Sequence, residues 1–355
     1  MEQNRKYVIF RSLPLERDSR TKRYKDYLGD VVFNCWEDNY VDKRNGIDKI
    51  KMGRKDFRLF ITYPFYLFYL FVFSVLKLNK NTHAICMDID TYIPIKIGSL
   101  FGRSKVYLDI VDPISQTKFR HAYFNVIFDY IEYFILKNSN NVILPGESRV
   151  KYYHDKINVN ISSINRYYIC ENVPVLSKDY CRFKKEFNID KKVIGYFGSL
   201  DSTRGILELI SYFKDKNDFI IYIAGRGELE SAITDLSNEN ENVYFYGSYD
   251  STQLGFLYSN IDFCWAFYSP DVFLHRYACP NKYYEHLAFK TPIIFNEIVP
   301  MSNLVEANNS GLIISDVINE DTFRKLEDKL NSFNINVSDF SLWESSYSNY
   351  SFSLK

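Results

Sequence analysis

The chain has 355 residues, enough for two domains of ordinary size, and its 46% hydrophobic content supports sizeable cores. Lys plus Arg and Asp plus Glu both total 44, so the formal net charge is zero. That argues against nucleic acid as the main partner, because neutralising phosphates takes a basic surface.

Residues 7–10, YVIF, read as a buried strand, 17–28 as a helix and VVFNCW (31–36) as a second strand. FRLFITYPFYLFYLFVFSVLK (57–77) follows. Its apolar run of about 18 residues touches the threshold for a membrane span. Thr62, Pro64 and its tyrosines interrupt it, so a buried or interface-lying helix is expected, with docking on a membrane surface as the other reading. HAICMDID (83–90) and KVYLDIVD (105–112) read as strands ending in acidic residues, with a helix between them. FNVIFDYIEYFILKNS (124–139) is helical by period, and NVILPGES (141–148) is a strand followed by a loop. Strands alternating with helices imply a parallel sheet.

The pattern breaks at 168–190, where Asn-Val-Pro and a run of charge mark a domain boundary. A second series follows: strand 193–199, helix 205–213, strand 219–225, helix 228–236, strand 243–247, helix 252–260, strand 263–267, helix 282–289 and strand 292–295. The expected architecture is α/β, with two Rossmann-like parallel-sheet domains facing across a cleft. The six cysteines (Cys35, Cys86, Cys170, Cys181, Cys264 and Cys279) form no C-x-x-C and have no histidine at zinc spacing. They read as neutral thiols in a reducing compartment. The N-terminal stretch lacks the long apolar segment of a signal peptide, so a cytoplasmic location is expected.

Gly198 ends one strand of the second domain, and Gly225-Arg226-Gly227 ends another. Glycine there lets backbone approach a ligand, and the next helix offers free N–H groups, although plain turns use the same residues. Arg204 precedes a helix, where a cation can pair with a diphosphate or stand in a solvated loop. In YACPNKYYEHLAFKTPII (277–294), Pro280 pre-sets a turn and Asn281 is a good N-cap. Lys282 falls in the first turn, where the helix already carries about +0.5 charge, so the two together make an anion site. Glu285 lies one turn in and can accept a sugar hydroxyl. A capped surface helix with an internal Lys–Glu pair is the alternative.

The run GYFGSLDSTRGILELI, FIIYIAGRGELE, NVYFYGSY, LGFLYSNIDF, ACPNKYYEHLAFKTPII and SGLII resembles the donor domain of GT-B glycosyltransferases, closest in type to the large retaining family four, or glycosyl transferases group 1. It covers about 193–314; fainter matches lie in 1–175, and Trp343 resembles the tryptophan of a C-terminal segment crossing back to the first domain. The resemblance implies an acceptor domain at 1–171, a nucleotide-sugar domain at 172–336 and the returning segment at 337–355. It implies that Glu285 binds the donor ribose, that Asn281 and Lys282 lie by the sugar-phosphate, and that Arg204 lies by the diphosphate. Gly198 and Gly225 would line the nucleotide floor, and Ser199, Arg226 and Gly227 would stand with them among the donor-binding residues. Three departures bear on the donor sugar. Tyr277 stands where many relatives have a second Glu, Ser199 where many have a basic residue, and Arg11-Ser12-Leu13-Pro14 where many have a Gly-Gly loop.

Asp88-Ile89-Asp90 has the D-x-D form that binds a metal in the GT-A fold, but the second domain does not fit GT-A, and no metal is expected. Asp109, Asp112 and His121 are acceptor-side candidates, and His275 a candidate facing the donor. The expected activity is transfer of a hexosyl or related sugar, with retention, from a nucleotide-diphosphate sugar to a glycan or lipid-linked acceptor. It needs no further cofactor and no nucleic acid. The resemblance implies a setting in bacterial surface polysaccharide synthesis, and peripheral contact with the inner membrane is part of the same expectation. A sugar-nucleotide epimerase or hydrolase of the same fold, or a non-catalytic partner subunit of a transferase, are the alternatives.

Overall fold

Short apolar runs rich in β-branched and aromatic residues form strands buried on both faces, as a parallel sheet between helices requires. The computed structural model describes residues 6–13, 15, 18–36, 58–117, 125–157, 160, 167–174, 187 and 190–333. They fall into two compact units, one up to Glu171 and one from Asn172. His121, Cys181, Trp343 and the predicted returning segment lie outside the described residues.

The first unit runs β1 (Lys6–Arg11), α1 (Ser19–Leu28), β2 (Val31–Cys35), α2 (Arg58–Lys77), β3 (Thr82–Met87), α3 (Asp88–Gly102), β4 (Lys105–Asp109), α4 (Ile114–Thr117), α5 (Asn125–Lys137), β5 (Val142–Leu144), α6 (Glu147–Ile157) and β6 (Tyr167–Ile169). Its six strands are ordered β2-β1-β3-β4-β5-β6 and pair in parallel. The predicted strand at 83–90 stops at Met87, because Asp88 turns to φ +66 and opens α3. Asp88 and Asp90 therefore stand in the first turn of a helix, not at a strand end. The loop expected after β5 is the start of α6, whose sequence ESRVKYYHDKI has too few apolar positions to announce a helix.

The second unit runs β7 (Lys192–Ser199), α7 (Ile206–Phe213), β8 (Phe219–Arg226), α8 (Glu230–Glu239), β9 (Val243–Gly247), α9 (Leu254–Ser259), β10 (Phe263–Ala266), α10 (Asn281–Ala288), β11 (Ile293–Asn296), α11 (Ser302–Ala307), β12 (Gly311–Ile314) and α12 (Glu320–Ser332). Its six parallel strands are ordered β12-β11-β10-β7-β8-β9. Side chains alternate along each strand. Ile194, Tyr196, Ile221, Ile223, Phe263 and Trp265 enter one core, while Val193, Phe197, Ile220, Tyr222 and Cys264 enter the other. Among the described residues, no helix is long and apolar enough to cross a membrane, and the five described cysteines are free thiols.

One buried acid ties the first unit's stability to pH. Glu132 on α5 is fully buried and accepts a hydrogen bond of 2.8 Å from the Tyr153 hydroxyl. Burial pushes its pKa up to about 8 from an ordinary 4.5. The folded chain thus keeps a proton that the unfolded chain releases. The stability this lends is complete below about pH 4.5 and is lost as pH rises toward about 8. Glu132→Gln, which stays neutral, is expected to gain on the order of 2–4 kcal/mol over the wild type between pH 5 and pH 8. Urea unfolding at the two pH values measures the gain; a constant difference would show that Glu132 does not titrate in that window.

Candidate active site

In the second sheet the chain leaves β7 for β8 on one side and β10 for β11 on the other, so the strand order reverses between β7 and β10. A crevice at the carboxyl ends of the strands opens at such a reversal, and ligands of doubly wound sheets bind there.

Two cations stand at this reversal. Lys282 lies in the first turn of α10, and its Nζ donates to the Phe197 carbonyl at 2.5 Å, 4.4 Å from the centre of the Tyr196 ring. Gly198 makes the room: its φ is +150, and a Cβ there would sit 2.8 Å from Lys282 Nζ. Asn281 is not the N-cap of α10. Pro280, at φ −70 and ψ 130, takes that position, no side chain caps the helix, and Asn281 becomes its first residue.

Arg204 ends a single 3₁₀ turn, Ser202–Arg204, which Asp201 caps. Its Nε pairs with Asp201 Oδ2 at 3.3 Å, and its Cζ lies 4.4 Å from the centre of the Tyr268 ring. Trp265 Nε1 donates to the Arg204 carbonyl at 2.8 Å, and the Asn296 side chain bonds both the N–H and the carbonyl of Tyr268 at 2.9 Å. Arg204 Nη1 is buried without a hydrogen-bond partner among the described residues. Burial lowers the Lys282 pKa below the ordinary lysine value, and the charge of Arg204 pushes it the same way. Two like charges that act on each other are stabilised by an anion that both can reach.

The backbone floor is built for close approach. Gly198 and Gly225 pair across β7 and β8, and a Cβ on Gly225, at φ +153, would meet the Gly198 carbonyl oxygen at 1.8 Å. A Cβ on Gly227 would meet the Leu200 carbonyl oxygen at 2.2 Å. Ser199 is exposed, and its carbonyl accepts from the Tyr196 hydroxyl at 2.6 Å. Arg226 is exposed and donates to Ser248 Oγ at 3.0 Å. Glu285, one turn into α10, is 6% exposed and accepts from the Tyr258 hydroxyl at 3.0 Å. His275 is buried, with Nδ1 2.8 Å from the Ser269 carbonyl and its ring edge-on to Tyr268, which gives it a packing role.

The first sheet reverses between β1 and β3, and there the charged side chains bond to one another and to neighbouring hydroxyls. Arg11 at the end of β1 pairs with both Asp18 and Asp88, and Asp90 accepts from the hydroxyls of Ser12 and Tyr63. Among the described residues, no group of three or more potential ligands is placed to hold a metal ion. Asp109 corrects an expectation. It is fully buried, bonded by Arg20 Nη2 at 2.8 Å and by the Tyr24 hydroxyl at 2.5 Å, so it fastens α1 to the sheet and does not face an acceptor. Asp112 is half exposed and paired with Arg149 at 2.8 Å.

Fold and crevice set the comparison with known proteins. Residues 177–333 match the family described as glycosyl transferases group 1. The matched segment falls within the second unit. The chain is similar in fold to a sucrose-phosphate synthase from Thermosynechococcus elongatus, with a TM-score of 0.64, 13% identity, and cover of 99% of this chain and 100% of that one. It is similar to a UDP-forming α,α-trehalose-phosphate synthase from Burkholderia xenovorans, with a TM-score of 0.66, 9% identity, and cover of 98% and 96%. WaaG, a glycosyltransferase involved in lipopolysaccharide biosynthesis, gives 0.63, 10% identity, and cover of 99% and 95%. At these identities the likeness is one of fold, the two-domain α/β GT-B architecture. No curated protein sequence matches the chain.

Within the matched segment, Lys282, Arg204, Gly198 and Gly225 cluster at the strand reversal, with Glu285 on the same helix as Lys282. Tyr196, Asp201, Tyr258, Tyr268 and Asn296, which hold these groups in place, escape sequence reading. Only the position of Tyr196, two residues before Gly198 on the same strand face, offered a signal.

Proposed function

We propose that the chain transfers a hexosyl or related sugar from a nucleotide-diphosphate sugar to a glycan or lipid-linked oligosaccharide, with retention, at the cytoplasmic face of the inner membrane in surface polysaccharide synthesis. The supporting observation is the pair of cations at the reversal of the second sheet, with Arg204 Nη1 buried and unpartnered. A diphosphate satisfies both. In the transfer the bond between the sugar's anomeric carbon and the diphosphate oxygen breaks. Negative charge grows on that oxygen, which takes the proton of the acceptor hydroxyl as the acceptor oxygen bonds to the same face of the sugar. Lys282, Arg204 and the amides of the glycine turns stabilise that charge in a dry site, where such donors act most strongly. With two side-chain cations in that role, the step needs no metal. Glu285, already held by Tyr258, accepts the ribose hydroxyls.

Thermal shift with UDP, GDP and ADP tests the reading. One of the three should raise the melting temperature by several degrees, since ligand at about 100 times Kd adds ~2.7 kcal/mol. Glu285→Ala is expected to weaken that nucleotide by roughly 10–100-fold through loss of charged hydrogen bonds. If no nucleotide shifts the melting point, a non-catalytic subunit is the better account; nucleotide release without any acceptor points to a hydrolase or epimerase.

A further inference from the structure

We propose that the outer face of the helical layer formed by α2, α3 and α5 docks on an anionic lipid surface. Each of these helices carries the chain to a strand further along the first sheet in the same direction, so right-handed crossovers place them on one side of it. Each of them is apolar on its outer face as well as on its inner one. On α5 the acids point inward: Glu132 is fully buried, and Asp129 lies 4.0 Å from Lys156 of α6. Tyr130 and Phe134 point outward, 70% and 67% exposed, with Val126 and Ile127 beside them.

On α3 the small residues face α2. A Cβ on Gly98 would meet Ser74 Oγ at 1.6 Å, and one on Gly102 would meet the Leu78 carbonyl oxygen at 2.2 Å. That close approach leaves Leu100 and Phe101 on the outside, 71% and 72% exposed. Phe65 and Phe68 of α2 are both 63% exposed. Exposed aromatics and aliphatics on three adjacent helices mark an interaction surface, whereas scattered single ones do not.

Charge selects the occupant. Among the described residues, α2, α3 and α5 expose no carboxylate. Lys77 and Lys137 end α2 and α5, Arg103 caps α3, and Lys80 follows α2, all exposed. Helices in such crossovers run against their strands, so these cations share one edge of the apolar face. An apolar plane with a cationic edge fits lipid tails and anionic headgroups together. The segment 57–77 supplies only part of this face; α3 and α5 supply most of it.

Co-sedimentation of the full chain with vesicles of phosphatidylcholine, with and without phosphatidylglycerol, tests the proposal. Binding to the anionic vesicles is expected to exceed binding to the neutral ones by about tenfold and to fall as salt rises. The double variant Phe101→Ser with Phe134→Ser, and separately Lys77→Glu with Arg103→Glu, should each lower it by about tenfold. Melting temperature and its shift with nucleotide should be unchanged in both, so the test stands apart from the donor-site reading. Equal binding to neutral vesicles, binding that the variants leave intact, or no binding at all would overturn the proposal. So would a dimer that Phe101→Ser with Phe134→Ser dissociates, since a second copy would then cover the face.

Discussion

Lys282→Ala is expected to cut kcat/KM for the sugar nucleotide by about 10²–10³-fold, the usual loss when one preorganised donor to a developing charge is removed. The effect should fall on turnover more than on folding. The lysine is solvated in the unfolded chain, and in the folded chain its burial depresses its pKa, so the free protein gains little from holding the charge. Its bond to the Phe197 carbonyl and its contact with the Tyr196 ring position it; they do not neutralise it. Steady-state kinetics beside a thermal melt separate the two effects. Unchanged kcat/KM would remove Lys282 from the site.

Gly225→Ala is expected to destabilise the second unit by ~2–5 kcal/mol, from a strained backbone and an overpacked contact together. At φ +153 an L side chain is disfavoured, and its Cβ would meet the Gly198 carbonyl oxygen at 1.8 Å. Relief requires the ends of β7 and β8 to separate, which also displaces Gly198 from beneath Lys282. Gly247→Ala is the control: φ is +84, but nothing lies within 4 Å of the added Cβ, so only the conformational cost of about 1 kcal/mol should appear. Chemical unfolding of the two variants reads the difference. Equal destabilisation would show that the β7–β8 contact is not tight.

The second unit was largely legible because its strands are buried on both faces and read as apolar runs closed by glycine. The glycine turns and the Pro-Asn-Lys stretch pointed to the cluster for the same reason: their residue types are costly anywhere else. What failed to show depended on long-range partners. Asp109 looks like an exposed strand-end carboxylate until Arg20 and Tyr24 of α1 close on it. Nothing local announces that Asn296 will hold Tyr268 under Arg204. Asn281 and Pro280 are both good helix starters, and composition alone does not rank them. In α5 the helical period was plain, but period does not say which face turns inward. There buried Leu136 shares the inner face with Glu132, while Tyr130 and Phe134 lie outside.

The most direct test of the donor site is a crystal structure with the nucleoside diphosphate that raises the melting temperature. Its phosphates should lie within hydrogen-bond distance of Lys282 Nζ and Arg204 Nη1, over the turn at Gly198. A nucleotide bound elsewhere on the chain, or a crevice closed by packed side chains, would contradict the assignment.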